Sequence, residues 1–146
     1  MNRDKVLGQI NQEPLVKPEL DKITERIIGC AHKVSNTLGS GFVEKVYENA
    51  LAHEMRKDGL KVIQQHPIKV AYDGIIVGEF FADMLVDELV LVELKAVSVL
   101  TDEHMAQALN YMRATSLPAC LLINFGQSRI QVRRLHPSPS WNIRGS

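Results

Sequence analysis

The chain has 146 residues, 45% of them apolar and 23% charged, and its 17 Lys and Arg balance 17 Asp and Glu. That is one ordinary domain, long enough to bury a core without disulfides or metal. It excludes collagen-like, low-complexity and bulk-disordered chains. Zero net charge excludes a broad, nonspecific electrostatic grip on nucleic acid and leaves room only for a local basic patch. Cys30 and Cys120 show neither CxxC nor zinc spacing, so both read as free core thiols of a reducing compartment. The N-terminus shows no apolar leader. The longest apolar run, 84–92, is broken by Asp87 and Glu88 and is too short for a membrane span. These features set the expectation of a cytoplasmic protein without membrane association.

Residues 1–18 are polar, contain two prolines and show no period, so they read as an N-terminal extension. After Pro18, the stripe Leu20, Ile23, Ile27, Ala31, Val34 and Leu38 predicts a long helix closed by Gly39. A second helix is expected over 43–58, with the stripe Val43, Val46, Tyr47, Ala50, Leu51 and Met55 and a stop at Gly59. From residue 60 the pattern changes to β-branched and apolar runs, 60–65, 68–72, 75–86 and 89–97. Pro67, Asp73-Gly74 and Asp87-Glu88 separate them. Asp-Gly between two such runs predicts a tight hairpin. The run Leu89-Val90-Leu91-Val92 is apolar at every position, the mark of a strand covered on both faces. Thr101 caps a third helix whose core stripe is Met105, Ala108, Leu109 and Met112. Strands at 119–125 and 129–135 follow. The expected fold class is α/β, a mixed central sheet of a β-meander plus further strands, flanked by helices and preceded by a helical pair. A single domain is expected over 19–136, with a loose tail at 137–146.

Most stock motifs are absent: there is no GxGxxG, Walker loop, HExxH or GxSxG, and the five histidines have no metal-ligand spacing. What stands out is charge in a buried strand. Glu93 and Lys95, two apart in VLVELKAV, share a strand face. Burying such groups costs several kcal/mol unless they are paired or bind something. Asp83 breaks a second apolar run, and whether it reaches Glu93 depends on the intervening loop. A two-residue turn puts Asp83 on the wrong face. A loop at 87–89 sets it directly opposite Glu93, and one at 86–88 sets it diagonal. An odd-length loop or a bulge is therefore expected. Two carboxylates and a lysine then suit a hard divalent cation, Mg²⁺ with Mn²⁺ as substitute, and hydrolysis of a phosphodiester. The competing explanation is a plain buried ion pair.

Asp83, nine residues, then Glu93-Leu94-Lys95 resembles the signature of the PD-(D/E)XK nuclease superfamily, with Ala82 where the superfamily name has proline. Gln107-Ala-Leu-Asn-Tyr111 is similar to the Q-x-x-x-Y element of its RecB-type exonuclease branch. Gly41-Phe-Val-Glu44-Lys-Val-Tyr47 resembles the signature of the small bacterial GxxExxY proteins. The resemblance runs from about residue 20 to 135. It implies a restriction-endonuclease-like core, Asp83, Glu93 and the Leu94 carbonyl as metal ligands, Lys95 as the catalytic lysine and Glu44 as a supporting acid. It implies nucleic acid as substrate, DNA ahead of RNA.

Other roles are open for several of these residues. Glu44 also suits the first turn of a helix, where the dipole favours a carboxylate. Gln107 and Tyr111, one turn apart, suit contacts to a phosphate, a site carboxylate or a base. Tyr111 equally suits a border aromatic with its hydroxyl in water. Tyr47 reads as packing and Gly41 as a turn residue. Arg129, Arg133, Arg134 and Arg144 form a modest basic stretch, which also serves to protect an edge strand. Trp141 could dock on the domain or on a partner. The alternative function is a nuclease-fold module that no longer cleaves and acts in binding or assembly. Small size and neutral charge point to specificity supplied by a homodimer or a protein partner.

Overall fold

The computed structural model describes residues 13–137, with side chains from Pro18 onward. The element order is α1 (Glu13–Leu38), α2 (Glu44–Lys57), β1 (Val62–Tyr72), β2 (Ile75–Val86), β3 (Val90–Lys95), α3 (Asp102–Thr115), β4 (Ala119–Asn124) and β5 (Gln131–Leu135). The five strands form one sheet in the order β1-β2-β3-β4-β5. Neighbours are antiparallel except β3 and β4, which run parallel across the α3 crossover.

Two apolar layers sandwich the sheet. On one face the expected α1 stripe, Leu20, Ile23, Ile27, Ala31 and Val34, joins Tyr47, Leu51 and Met55 of α2 over Met84, Val86, Val90, Val92 and Leu94. On the other face Ala108 and Met112 of α3 pack on Ile68, Ala82, Leu85, Leu91 and Cys120. Residues 90–94 are all buried, as expected for a strand covered on both sides.

Three boundaries differ from expectation. Helix α1 begins at Glu13, ahead of Pro18, so the extension expected over 1–18 ends earlier. Pro18 falls in the second turn of this helix, where it removes one bond and crowds the carbonyl four residues back, close to the helix start. Val43 is an exposed N-cap rather than part of the α2 stripe, and the buried stripe includes Glu48 and Ala52 instead. Pro67 does not divide two strands. It lies inside the continuous β1, opposite Phe81, where an edge strand can leave its outer side unpaired. The tail expected over 137–146, with Trp141 and Arg144, lies outside the described residues apart from its first residue. Arg129, Arg133 and Arg134 are exposed, the last two on the edge strand β5.

Both hairpins follow from local chemistry. Asp73 (φ 55°) and Gly74 (φ 78°) form a two-residue turn closing Tyr72 against Ile75. The β2–β3 connection has three residues, 87–89, because Val86 pairs with Val90. Asp87 and Glu88 adopt φ values of 50° and 60° there. Asp87 is held by exchanging hydrogen bonds with Lys61, N–H to carbonyl and N–H to carboxylate, each 2.8 Å.

The end of β3 is clamped from β4. Fully buried Asn124 pairs with Lys95 in the ladder. Its Oδ1 accepts from Val97 N (2.9 Å) and Gly126 N (3.0 Å), and its Nδ2 donates to the Val97 carbonyl and to Gln131. A Cβ on Gly126 would lie 2.0 Å from the Val97 carbonyl oxygen, so only glycine admits this approach. In urea unfolding, Asn124→Ala is expected to lose about 2–4 kcal/mol by stranding buried backbone groups. Gly126→Ala is expected to lose at least as much. Wild-type stability in both variants would refute the clamp.

Candidate active site

The three-residue loop sets the site. Counting on from Met84 opposite Val92, Asp83 stands opposite Glu93. The regular ladder stops at this point and the side chains take over. Asp83 N donates to Glu93 Oε2 (2.9 Å), and Leu94 N donates to Asp83 Oδ2 (2.7 Å). Each carboxylate thus satisfies a backbone N–H of the other strand. The face alternation of β2 also breaks here. Ala82 and Leu85 pack toward α3, while Met84 and Val86 pack toward α1 and α2. The Lys95 carbonyl accepts from Phe125 N at 2.8 Å, toward β4. Strand alternation therefore turns the Leu94 carbonyl to the opposite side, toward Asp83, with its N–H.

Two acidic groups in one half-dry place disfavour each other's ionisation. Glu93, 6% exposed, is pushed up to about 8, first by burial and then by the Asp83 charge; the hydrogen bond from Asp83 N and the Lys95 charge oppose this. Asp83 is also raised, first by burial, against the hydrogen bond from Leu94 N. Lys95 lies at the half-buried end of β3, and its charge acts on Asp83, Glu93 and Glu44 alike.

Glu44 is the first residue of α2, so the helix-dipole reading and the site reading meet in one position. Its side chain is largely exposed, yet its carboxyl is raised, first by partial burial of the head group. Lys95 pulls the other way and Asp83 adds to the rise. The flanking residues of its motif build the turn that delivers it. Gly41 adopts φ 116°. Buried Tyr47 donates from its hydroxyl to the Gly39 carbonyl (2.6 Å), accepts from Phe42 N (3.2 Å) and stacks on Phe125 at 4.7 Å. Tyr47 and Gly41 thus serve packing and turn, as expected.

Helix α3 reaches the same place from the other face. Thr101 Oγ1 accepts from His104 N, and His104 Nδ1 accepts from Thr101 N (3.1 Å), a reciprocal cap that occupies His104. Six residues, 96–101, separate Lys95 from the start of α3. Half-buried Tyr111 sits with its ring 5.5 Å from Phe80. Its hydroxyl is raised, first by burial and then by the charges of Glu93 and Asp83. Gln107 is exposed one turn away and makes no hydrogen bond among the described residues.

Sequence reasoning passed over Glu48 and Gln65. Glu48 is 3% exposed and lies one helical turn after Glu44. It accepts from Lys45 Nζ (3.1 Å), Gln64 Nε2 (2.8 Å) and Gln65 Nε2 (3.0 Å). The signal was a second stripe, 44-48-51-52-55, running beside the one chosen. Gln65 gave no signal: its left-handed backbone, φ 55°, falls inside β1 at a level where the sequence has no glycine or turn residue.

Among the described residues no group of three or more His, Cys, Asp and Glu is assembled as a complete metal cage. The chemistry of the donors still fits a hard cation. Asp83, Glu93 and the Leu94 carbonyl offer oxygen only, and a divalent ion would relieve the repulsion that raises both carboxyls.

A sequence model of the PD-(D/E)XK nuclease superfamily matches residues 21–135. One solved structure, the alkaline exonuclease LHK-Exo from Laribacter hongkongensis, aligns with 16% identity and a TM-score of 0.46. The alignment covers 68% of this chain and 59% of that one. No curated protein matches the chain.

A pH prediction follows from Glu93. Its folded carboxyl stays protonated up to about 8, while the unfolded one ionises near 4.5. The folded state therefore holds the extra proton between these values, and metal-free stability falls as pH rises through the window. Glu93→Gln keeps an acceptor for Asp83 N, flattens this slope and leaves the protein roughly 2–4 kcal/mol more stable than wild type at pH 9. Denaturant titrations from pH 4 to 9 in EDTA check this. Parallel pH profiles for the two proteins would refute it.

Proposed function

The chain belongs to the PD-(D/E)XK nuclease superfamily, and from that premise we propose that it is a metal-dependent nuclease hydrolysing phosphodiester bonds of nucleic acid. The observation that carries this reading is the meeting of Asp83 and Glu93 where the β2–β3 ladder ends, with Lys95 two residues on. Asp83, Glu93 and the Leu94 carbonyl would hold Mg²⁺, with Mn²⁺ as substitute, and leave positions for water and a substrate phosphate. When bound, such an ion lowers the pKa of water and neutralises phosphoryl charge.

The protein groups divide the remaining work. Lys95 Nζ orients the attacking water and offsets negative charge building on the phosphoryl oxygens. Glu44, whose carboxyl feels the Lys95 charge, supports the placement of that lysine. The N-terminus of α2 favours a phosphate at this end of the sheet. Exposed Gln107 bonds to the backbone of the bound strand, and Tyr111 stacks on a base. DNA is favoured over RNA as substrate, and the Gly41, Glu44 and Tyr47 pattern supports grouping the chain with the GxxExxY proteins. The reading takes the domain as one unit over 19–136, working in the cytoplasm with a homodimer or protein partner supplying specificity. Zero net charge favours the second reading, a binding or assembly module of the same fold without cleavage.

The test is a panel of labelled single- and double-stranded DNA and RNA incubated with Mg²⁺, Mn²⁺ or EDTA. Cleavage is expected with either metal and not with EDTA, falling roughly 10²–10³-fold or more in Asp83→Asn and Lys95→Ala. A metal-induced rise in melting temperature without cleavage of any substrate would leave the non-cleaving module. Absence of both would overturn the metal site.

A further inference from the structure

One buried charge is used by nothing in the mechanism above. Glu48 sits under the site on α2, 3% exposed, with its carboxylate turned toward β1. A buried carboxylate is costly unless its oxygens are filled. Those of Glu48 are filled by Lys45 from its own helix and by the side-chain amides of two consecutive strand residues, Gln64 and Gln65.

Consecutive strand residues ordinarily point to opposite faces. Gln64 and Gln65 reach one carboxylate because the backbone at Gln65 is left-handed, with φ 55°. A non-glycine residue in that region is strained by about 1–2 kcal/mol. The carboxylate of Glu48 offers the compensation. The strained residue also has a particular neighbour. The β1–β2 ladder pairs Gln64 with Met84 and His66 with Ala82, so Gln65 lies opposite Asp83. The chain is therefore irregular on both strands at one level. A fixed point beneath β1 stands beside the carboxylate whose aim the site depends on.

We propose that Glu48 and Gln65 form a positioning relay for the metal-binding site, in which Glu48 anchors the Gln65 amide and that amide holds Asp83 in place. The inference rests on the nuclease reading and adds two residues that touch neither metal nor substrate. The amide that bonds Glu48 therefore belongs to the residue directly across the β1–β2 pair from Asp83. Glu48 must be an acceptor on both oxygens. An amide there would turn an NH₂ group toward one of the glutamine NH₂ groups. Glu48→Gln therefore breaks the relay with almost no change in volume.

The experiment measures Mn²⁺ affinity by calorimetry and cleavage of the preferred substrate for wild type, Glu48→Gln, Gln65→Ala and the double variant. Metal-free melting temperatures are recorded beside them. Partners that orient metal ligands are worth about 10–100-fold in affinity. Each single variant should weaken Mn²⁺ binding about tenfold and slow cleavage, while metal-free melting changes by only a few degrees. The double variant should bind no worse than either single one, because both changes break one chain of contacts. Gln65 is exposed and its loss leaves no cavity, so Gln65→Ala keeps the test open if Glu48→Gln folds poorly. Variants that bind Mn²⁺ as wild type does, or losses that add in the double variant, would overturn the relay alone. A wild type that neither binds Mn²⁺ nor cleaves would overturn the nuclease reading, and the relay with it.

Discussion

Two acidic side chains opposite one another at the end of an antiparallel pair should repel, and a sheet built for stability alone would not place them there. The fold makes the arrangement tolerable by ending the backbone ladder at that level. Asp83 and Glu93 each accept a backbone N–H from the opposite strand, so the carboxylates replace the ladder they interrupt. The repulsion is contained rather than removed, and it appears as two carboxyls held above their ordinary range. Nearly everything else near the site makes this local fault affordable. The three-residue loop fixes the register, Asn124 and Gly126 fix the end of β3, and the Tyr47 hydroxyl fixes the turn that starts α2.

Much of this was legible in the residues. The α1 stripe, the Asp73-Gly74 hairpin and the doubly covered β3 follow from period and turn chemistry, which act over a few residues. The odd-length loop was legible for a different reason. Burying Glu93 without a partner is expensive, so only registers that bring Asp83 to the same face were sensible. Pro67 misled because proline reads as a break unless its strand is known to lie at an edge, and edge position belongs to the whole sheet. Glu48 was passed over because polarity argues against burial. The three N–H donors that permit its burial come partly from β1, sixteen and seventeen residues away. Gln65 had no local signature at all.

The stretches 41–47 and 107–111 gain physical content from this geometry. In the 41–47 stretch, the glycine permits the positive φ of the turn, the tyrosine ties that turn down through its hydroxyl, and the glutamate between them opens the helix and feels the Lys95 charge. In the 107–111 stretch, the two side chains divide. Tyr111 leans on Phe80, while Gln107 stays free on the outside. That division suits a residue that borders the reacting centre and another that meets a bound strand.

The charge balance then acquires a meaning that the total alone does not carry. Zero net charge provides no long-range attraction for a polyanion, so affinity has to arise where the strand lies. At the site the positive contributions are short-ranged: Lys95, the N-terminus of α2, and any cation held by the carboxylates. They offset the local acids Glu44, Asp83 and Glu93 without creating a broad basic face. Exposed Arg133 and Arg134 lie on β5, two strands from β3, and reach the site only along a strand that crosses the sheet. On the nuclease reading, a domain built in this way draws its substrate by local contacts at the site rather than by a long-range field. Its selectivity then depends on what delivers the strand to that point.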